Sequence, residues 1–144
     1  MGARYNVTKT STALSTTADA ITITAPAGRS LKILAIRCYG GAAASAANEV
    51  GVYRSTGGAT PVAITPVPLN SDSAAATFTA AGSWTTQPTV GVVLDRIGVN
   101  ANGSFVPLVF PPGQEIEIPG GGQVSIRSVS GTSLATITAV VEQI

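Results

Sequence analysis

The sequence predicts an all-β fold, an antiparallel β-sandwich or barrel, and three observations carry this prediction. Apolar and polar residues alternate with a period of two, as in residues 20–25, where Ile21 and Ile23 alternate with Thr22 and Thr24. Turn signals built from Gly, Pro and Asn-Gly recur about every 8–12 residues. No stretch keeps the helical period for more than a turn. A chain of 144 residues fits one domain.

Further strands are predicted along the rest of the chain. They cover residues 30–39, 49–54, 62–65, 77–80, 89–99, 105–110, 115–118, 124–129 and 134–141. Residues 40–47 are rich in Gly, Ala and Ser without an apolar stripe, which indicates a loop. Asn102-Gly103 favours a tight turn between two strands.

The N-terminal segment differs from the rest of the chain. Residues 8–19 are polar and nearly free of large apolar side chains. Such a segment lacks the apolar content to pack on its own domain. We therefore expect residues 1–19 to form an N-terminal arm or extended segment, followed by a β-sandwich domain over residues 20–144.

The strand at residues 30–39 is apolar on both faces. Strict alternation places one set of side chains on the first face and a second set on the other: Leu31, Ile33, Ala35, Arg37 and Tyr39, against Lys32, Leu34, Ile36 and Cys38. A strand that is apolar on both faces is usually covered on both faces. We expect the second cover to be another copy of the chain.

The composition excludes most catalytic chemistry. The chain has no histidine, one cysteine and only 10% charged residues. Acid–base, nucleophilic and metal chemistry mostly use His, Cys and clustered carboxylates. Glu115 and Glu117 are interpreted as a solvated strand face, and residues 120–122 as a glycine turn. The sequence predicts a protein that is not an enzyme and has no cofactor and no metal.

Charge and hydropathy limit the partners. Net charge is +1, and the basic residues stand singly, so we expect no nucleic-acid partner. No apolar run reaches the ~18 residues of a membrane helix, so we expect no membrane partner. The N-terminal residues lack the apolar region of a signal peptide, which predicts use without Sec-type export.

The aromatic residues are candidates for binding. Trp84, Tyr53, Tyr39 and Tyr5 could form a sugar-stacking surface, but they are not clustered in the sequence. Anchoring of a protein interface is the favoured interpretation, because Trp and Tyr dominate binding hot spots.

Two segments carry a resemblance to a known group of proteins. Residues 110–127 read Phe-Pro-Pro-Gly-Gln-Glu-Ile-Glu-Ile-Pro-Gly-Gly-Gly-Gln-Val-Ser-Ile-Arg, and a final Thr/Val strand runs to Ile144. This stretch resembles the closing strands of small jelly-roll proteins on tailed-bacteriophage virions. Residues 29–37, Arg-Ser-Leu-Lys-Ile-Leu-Ala-Ile-Arg, are similar to a first core strand of such domains.

The resemblance implies a jelly-roll capsid decoration (cement) protein. It implies a homotrimer that binds the major capsid protein at the capsid surface, after assembly in the host cytoplasm, with no catalytic residues. A receptor- or glycan-binding module of a phage head fibre or tail is the alternative hypothesis. The predicted partner-interface residues are Arg4, Tyr5, Leu31, Ile33, Arg37, Tyr39 and Trp84.

Overall fold

The computed structural model describes residues 2–144, with only the backbone described for Ser11, and consists of strands and connecting turns. The strands are β1 (Ala3–Ala13), β2 (Ile21–Thr24), β3 (Leu31–Gly41), β4 (Ala47–Thr56), β5 (Val62–Ile64), β6 (Val67–Pro68), β7 (Thr79–Gly82), β8 (Thr89–Asn100), β9 (Asn102–Val109), β10 (Ile116–Ile118), β11 (Gln123–Ser130) and β12 (Leu134–Gln143). Every predicted strand is present, with its ends shifted by a few residues.

Two antiparallel sheets pack face to face, which confirms the predicted β-sandwich. Sheet A has the order β10-β3-β12-β1-β6, and β9 pairs with β3 on the same edge as β10. Sheet B has the order β5-β7-β2-β11-β4-β8. Aliphatic side chains from the inner faces of both sheets fill the space between them, among them Val7, Ile33, Ile137, Ile23 and Ile126.

Strands from the first part of the chain pair with strands from its last part, in order from the two ends inwards. The first strand, β1, pairs with the last, β12, and β2 pairs with β11. The strand β3 pairs with β9, and β4 pairs with β8. Consecutive strands β1 to β4 therefore alternate between the two sheets, and so do the returning strands β8, β9, β11 and β12, with the short β10 lying in sheet A.

A β-bulge explains why β3 is apolar on both faces. In the pairing with β12, Val140 opposes Ala35 and Val141 opposes Ile33, so Leu34 is an extra residue in β3. The bulge reverses the alternation, and Ile33 and Ile36 both point into the core. The apolar character of β3 is therefore no evidence by itself for a second copy, because Leu31 and Ile33 from one set and Ile36 from the other point into the same core.

The predicted N-terminal arm is a strand of the domain, and that prediction is wrong. Residues 3–13 form β1, which pairs with β12 on one side and with β6 on the other. Tyr5 and Val7 are fully buried, and Leu14 is buried just after the strand. These three side chains anchor a segment that is otherwise polar. Met1, the first residue of the predicted arm, lies outside the described residues.

Each lateral side of the sandwich is crossed by the chain. At one side, the turn around Ala101 joins β8, the edge of sheet B, to β9 at the edge of sheet A. These two strands pair with β4 and β3 rather than with each other. At the other side, residues 65–66 join β5, the opposite edge of sheet B, to β6, the opposite edge of sheet A. We call them the β8–β9 side and the β5–β6 side.

Candidate functional site

The largest cluster of polar side chains lies on the outer face of sheet B and is centred on Asp19. Arg127 Nε donates to Asp19 Oδ1 at 2.7 Å, and Arg127 Nη2 lies 2.5 Å from the same oxygen. The hydroxyls of Thr22 and Ser125 each donate to Asp19 Oδ2 at 2.5 Å. The Ser125 and Ser55 hydroxyl oxygens are 2.7 Å apart. The carboxylate and the guanidinium are thus paired and hydrogen-bonded, as buried charges must be.

A loop closes this cluster from solvent. Trp84 Nε1 donates to Thr22 Oγ1 at 2.9 Å, and the Asp19 amide donates to Gln87 Oε1 at 3.0 Å. Arg127 Nη2 also donates to the carbonyl of Pro88 at 3.3 Å. Because these partners leave the carboxylate no open side, the Asp19 cluster fastens loop residues 83–88 to sheet B and offers no room for a substrate.

Trp84 takes part in this closure, and its role in a partner interface stays a prediction. Its indole nitrogen is hydrogen-bonded inward, and its half-buried ring lies against Gly58. A Cβ on Gly58 would lie 2.7 Å from the ring atoms, so a glycine is required there. Among the described residues, the two ring pairs are Tyr5–Phe78 and Tyr39–Phe105, and Trp84 belongs to neither. The structure forms no stacking surface from Trp84 and a tyrosine.

Three of the predicted interface residues are buried, so their assignment to an interface is wrong. Tyr5, Leu31 and Ile33 have no exposed surface. Tyr5 packs edge-to-face on Phe78 and donates from its hydroxyl to the carbonyl of Ala74 at 2.5 Å. A strand position in the sequence does not tell which face is inward when a bulge lies within the strand.

The other predicted residues, Arg4, Arg37 and Tyr39, lie at the surface. Arg4 Nε is 3.5 Å from Glu142 Oε1 on the neighbouring strand. Tyr39 is 49% exposed and stacks on Phe105, which is 46% exposed, with ring centroids 4.5 Å apart. Arg37 lies two residues before Tyr39 on the same face of β3, opposite Pro107 of β9.

The outer face of sheet A along β3 and β9 is an exposed apolar surface. Tyr39 opposes Phe105, and Ala35 opposes Val109, on either side of the Arg37–Pro107 pair. Phe105 and Val109 were not predicted as surface residues. Residues 105–110 are apolar at nearly every position, so their pattern does not indicate which side chains point inward. In the structure, Val106 and Leu108 pack against the core while Phe105 and Val109 face solvent.

The titratable groups give no sign of reaction chemistry. Burial raises the pKa of the Cys38 thiol to about 11, so the thiol stays protonated at neutral pH. The carboxylate of Glu115 is fully exposed. Its pKa is lowered by backbone hydrogen bonds, of which the bond from its own amide has the largest effect. Within residues 2–144, no group of three or more Cys, Asp or Glu residues is arranged to hold a metal ion.

The cavities described here are shallow and open to solvent. One of about 450 Å³ lies at the end of the sandwich, beside Ser45, Asn48 and Asn100. The Asn48 amide atoms are buried without a partner, and its Oδ1 faces Gly131, where a Cβ would lie 2.2 Å away. Since these amide atoms are inaccessible, they do not form a binding group for that cavity.

Fold and surface together define an all-β sandwich with a closed polar cluster and several exposed large apolar side chains. Comparisons with protein-family models and with curated proteins find no match to this chain. The part of the chain that the structure describes contains no helix long and apolar enough to cross a membrane.

Proposed function

We propose that this protein is a non-catalytic structural protein of a phage virion, which binds the outer surface of the capsid and stabilises its lattice. One observation carries the proposal: the Asp19 cluster is closed, while large apolar side chains such as Phe105 and Val109 are left in solvent. Exposed apolar patches of this kind mark contacts with other proteins. The resemblance of residues 29–37 and 110–144 to phage decoration proteins supplies the virion setting.

The proposal includes a jelly-roll type for the sandwich. A jelly roll is a double sheet of eight strands in two Greek keys. Eight of the twelve strands here pair from the two ends of the chain inwards, and their sheet orders are β1-β12-β3-β9 and β2-β11-β4-β8. This strand order is the support for the jelly-roll assignment.

The proposed partners are further copies of this chain, most simply in a homotrimer, and the major capsid protein. The proposed location is the capsid surface, reached from the host cytoplasm during assembly. Nucleic acid is not a proposed partner, because the exposed basic side chains do not form a stripe: Arg4 pairs with Glu142, and Arg96 with Glu49.

Co-sedimentation with capsids tests the proposal. Capsids assembled from the major capsid protein of the same genome are mixed with the purified chain and pelleted. We expect saturable binding and capsids that withstand higher temperature with the chain bound. Absence of binding at micromolar concentration contradicts the proposal. Binding to an array of glycans instead would favour the receptor- or glycan-binding hypothesis.

A further inference from the structure

The exposed large apolar side chains of this molecule fall on two separate surfaces. The β8–β9 side carries Val92 and Leu94 of β8, Phe105 and Val109 of β9, and the adjoining Tyr39. The β5–β6 side carries Val62, Val67 and Leu69. Among the described residues, only Leu134 and Ile144 are large, apolar, exposed and on neither side. Val92 is 70% exposed and Val67 is 58% exposed, so both sides lack a cover within the chain.

The two sides lie at opposite edges of the sandwich. In sheet A, β9 and β6 are at opposite ends of the strand order, and in sheet B so are β8 and β5. A two-fold dimer uses the same surface on both copies, so it covers one side and leaves the other in solvent. A head-to-tail contact places the β8–β9 side of one copy on the β5–β6 side of the next and covers both.

The charges on the two sides are complementary. Arg37 lies on the outer face of β3, opposite Pro107 of β9, and its guanidinium has no hydrogen bond or ion pair with any described residue. Asp72 lies in the turn that follows β6, where its amide donates to Asn70 Oδ1 and its carboxylate has no described partner. Arg37 is thus an unpaired cation near the apolar side chains of the β8–β9 side, and Asp72 is an unpaired anion next to the β5–β6 side. The β8–β9 side also carries Asp95 of β8, whose carboxylate accepts from the Arg96 amide.

We propose that the chain binds a second copy of itself head to tail, with the β8–β9 side of one copy on the β5–β6 side of the next and Arg37 facing Asp72. Repetition of this contact gives a closed ring, such as a trimer, if the rotation between neighbouring copies closes, and an open filament if it does not. The inference rests on the proposed self-association and is independent of the virion role. Complementary charges fix the register of such a contact, while the apolar side chains supply most of the affinity.

Charge exchange tests the facing pair. The variants Arg37→Asp and Asp72→Arg each place like charges across the contact, which disfavours it. Each should weaken self-association at least about tenfold, and the double variant should recover most of the loss. The control is Arg29→Asp, an exposed change between β2 and β3. Masses from light scattering across a dilution series are the measurement. Single variants that associate like the wild type would overturn the Arg37–Asp72 pairing.

Variants in which one of the two sides is blocked by a charge test the head-to-tail arrangement. Val92→Asp blocks the β8–β9 side, and Val67→Asp blocks the β5–β6 side, each at an exposed position. Each variant alone should be a monomer, and their equimolar mixture should form a dimer and nothing larger. Leu134→Asp, an exposed apolar position on neither side, should keep the wild-type mass. A wild-type monomer, or a Val67→Asp variant with the wild-type mass, would overturn the inference. Capsid binding is not part of this assay, so a monomer that still pellets with capsids would leave the proposed function standing.

Discussion

At the scale of single residues, the Asp19–Arg127 pair has the largest expected effect on stability. Both side chains are buried, so Asp19→Asn leaves an uncompensated charge on Arg127. Breaking a buried pair in this way costs about 3–5 kcal/mol. Urea unfolding followed by circular dichroism measures the loss. The matched control is Glu49→Gln, which breaks the more exposed Arg96–Glu49 pair and should cost at most about 1 kcal/mol. Equal losses in the two variants would contradict this account of the cluster.

Cys38 provides a second prediction at this scale. The thiol is buried and its pKa is raised to about 11, so the reactive thiolate is scarce at pH 8. Labelling with a disulfide reagent at pH 8 should therefore be at least about 100-fold slower in the native protein than in urea. The unfolded chain is the internal control. Rapid labelling of the native protein would show that β3 opens locally or that the thiol is accessible.

At the scale of elements, β1 is required for the fold. Deletion of residues 1–13 removes Tyr5 and Val7 from the core and exposes the edge of β12. We expect the truncated chain to lose its cooperative thermal transition, because burial of a large apolar side chain contributes about 1.5–3 kcal/mol. Thr10→Ala, an exposed change in the same strand, should alter stability by less than about 0.5 kcal/mol. A truncated chain that unfolds cooperatively would restore the arm hypothesis.

Elements were predictable from local pattern, whereas their pairing was not. Alternation identified β2, β4, β8 and β11, because each strand carries its own period of two. The bulge at Leu34 could not be predicted, because an extra residue between two aliphatic neighbours does not change the apolar pattern of the strand. Tyr5 and Val7 are only two apolar residues in a polar segment, and β12, which fixes them in the sheet, begins at Leu134.

The exposed apolar surface along β3 and β9 was only partly predictable, because local sequence pattern does not show how strands pair. Arg37 and Tyr39 were named from the sequence, but Phe105 and Val109 became visible only when the pairing of β9 with β3 set which face is outward. The Asp19–Arg127 pair joins residues 108 positions apart. No local pattern indicates such a contact, since only the packing of sheet B brings them together.

At the scale of the whole molecule, attachment to the capsid should depend little on salt. The charged fraction is 10% and net charge is +1, so affinity must come mainly from apolar burial at roughly 25 cal/mol per Å². Exposed ion pairs contribute at most about 1 kcal/mol and are screened within ~10 Å in 0.1 M salt. Binding to capsids at roughly 0.05 and 0.5 M sodium chloride should differ by less than about tenfold. A larger loss would indicate electrostatic docking.

The pairing of the first strand with the last has a consequence for synthesis of the protein. Ala3 opposes Gln143, so β1 leaves the ribosome long before β12, its main partner, exists. Contacts between residues so distant in sequence make folding slow, because a long loop must close before they form. Until the final strand emerges, the aliphatic strands of sheet A have no complete sheet to join. The unpaired edges of the newly made chain are open to aggregation during this interval, and sheet A closes only once translation has reached β12.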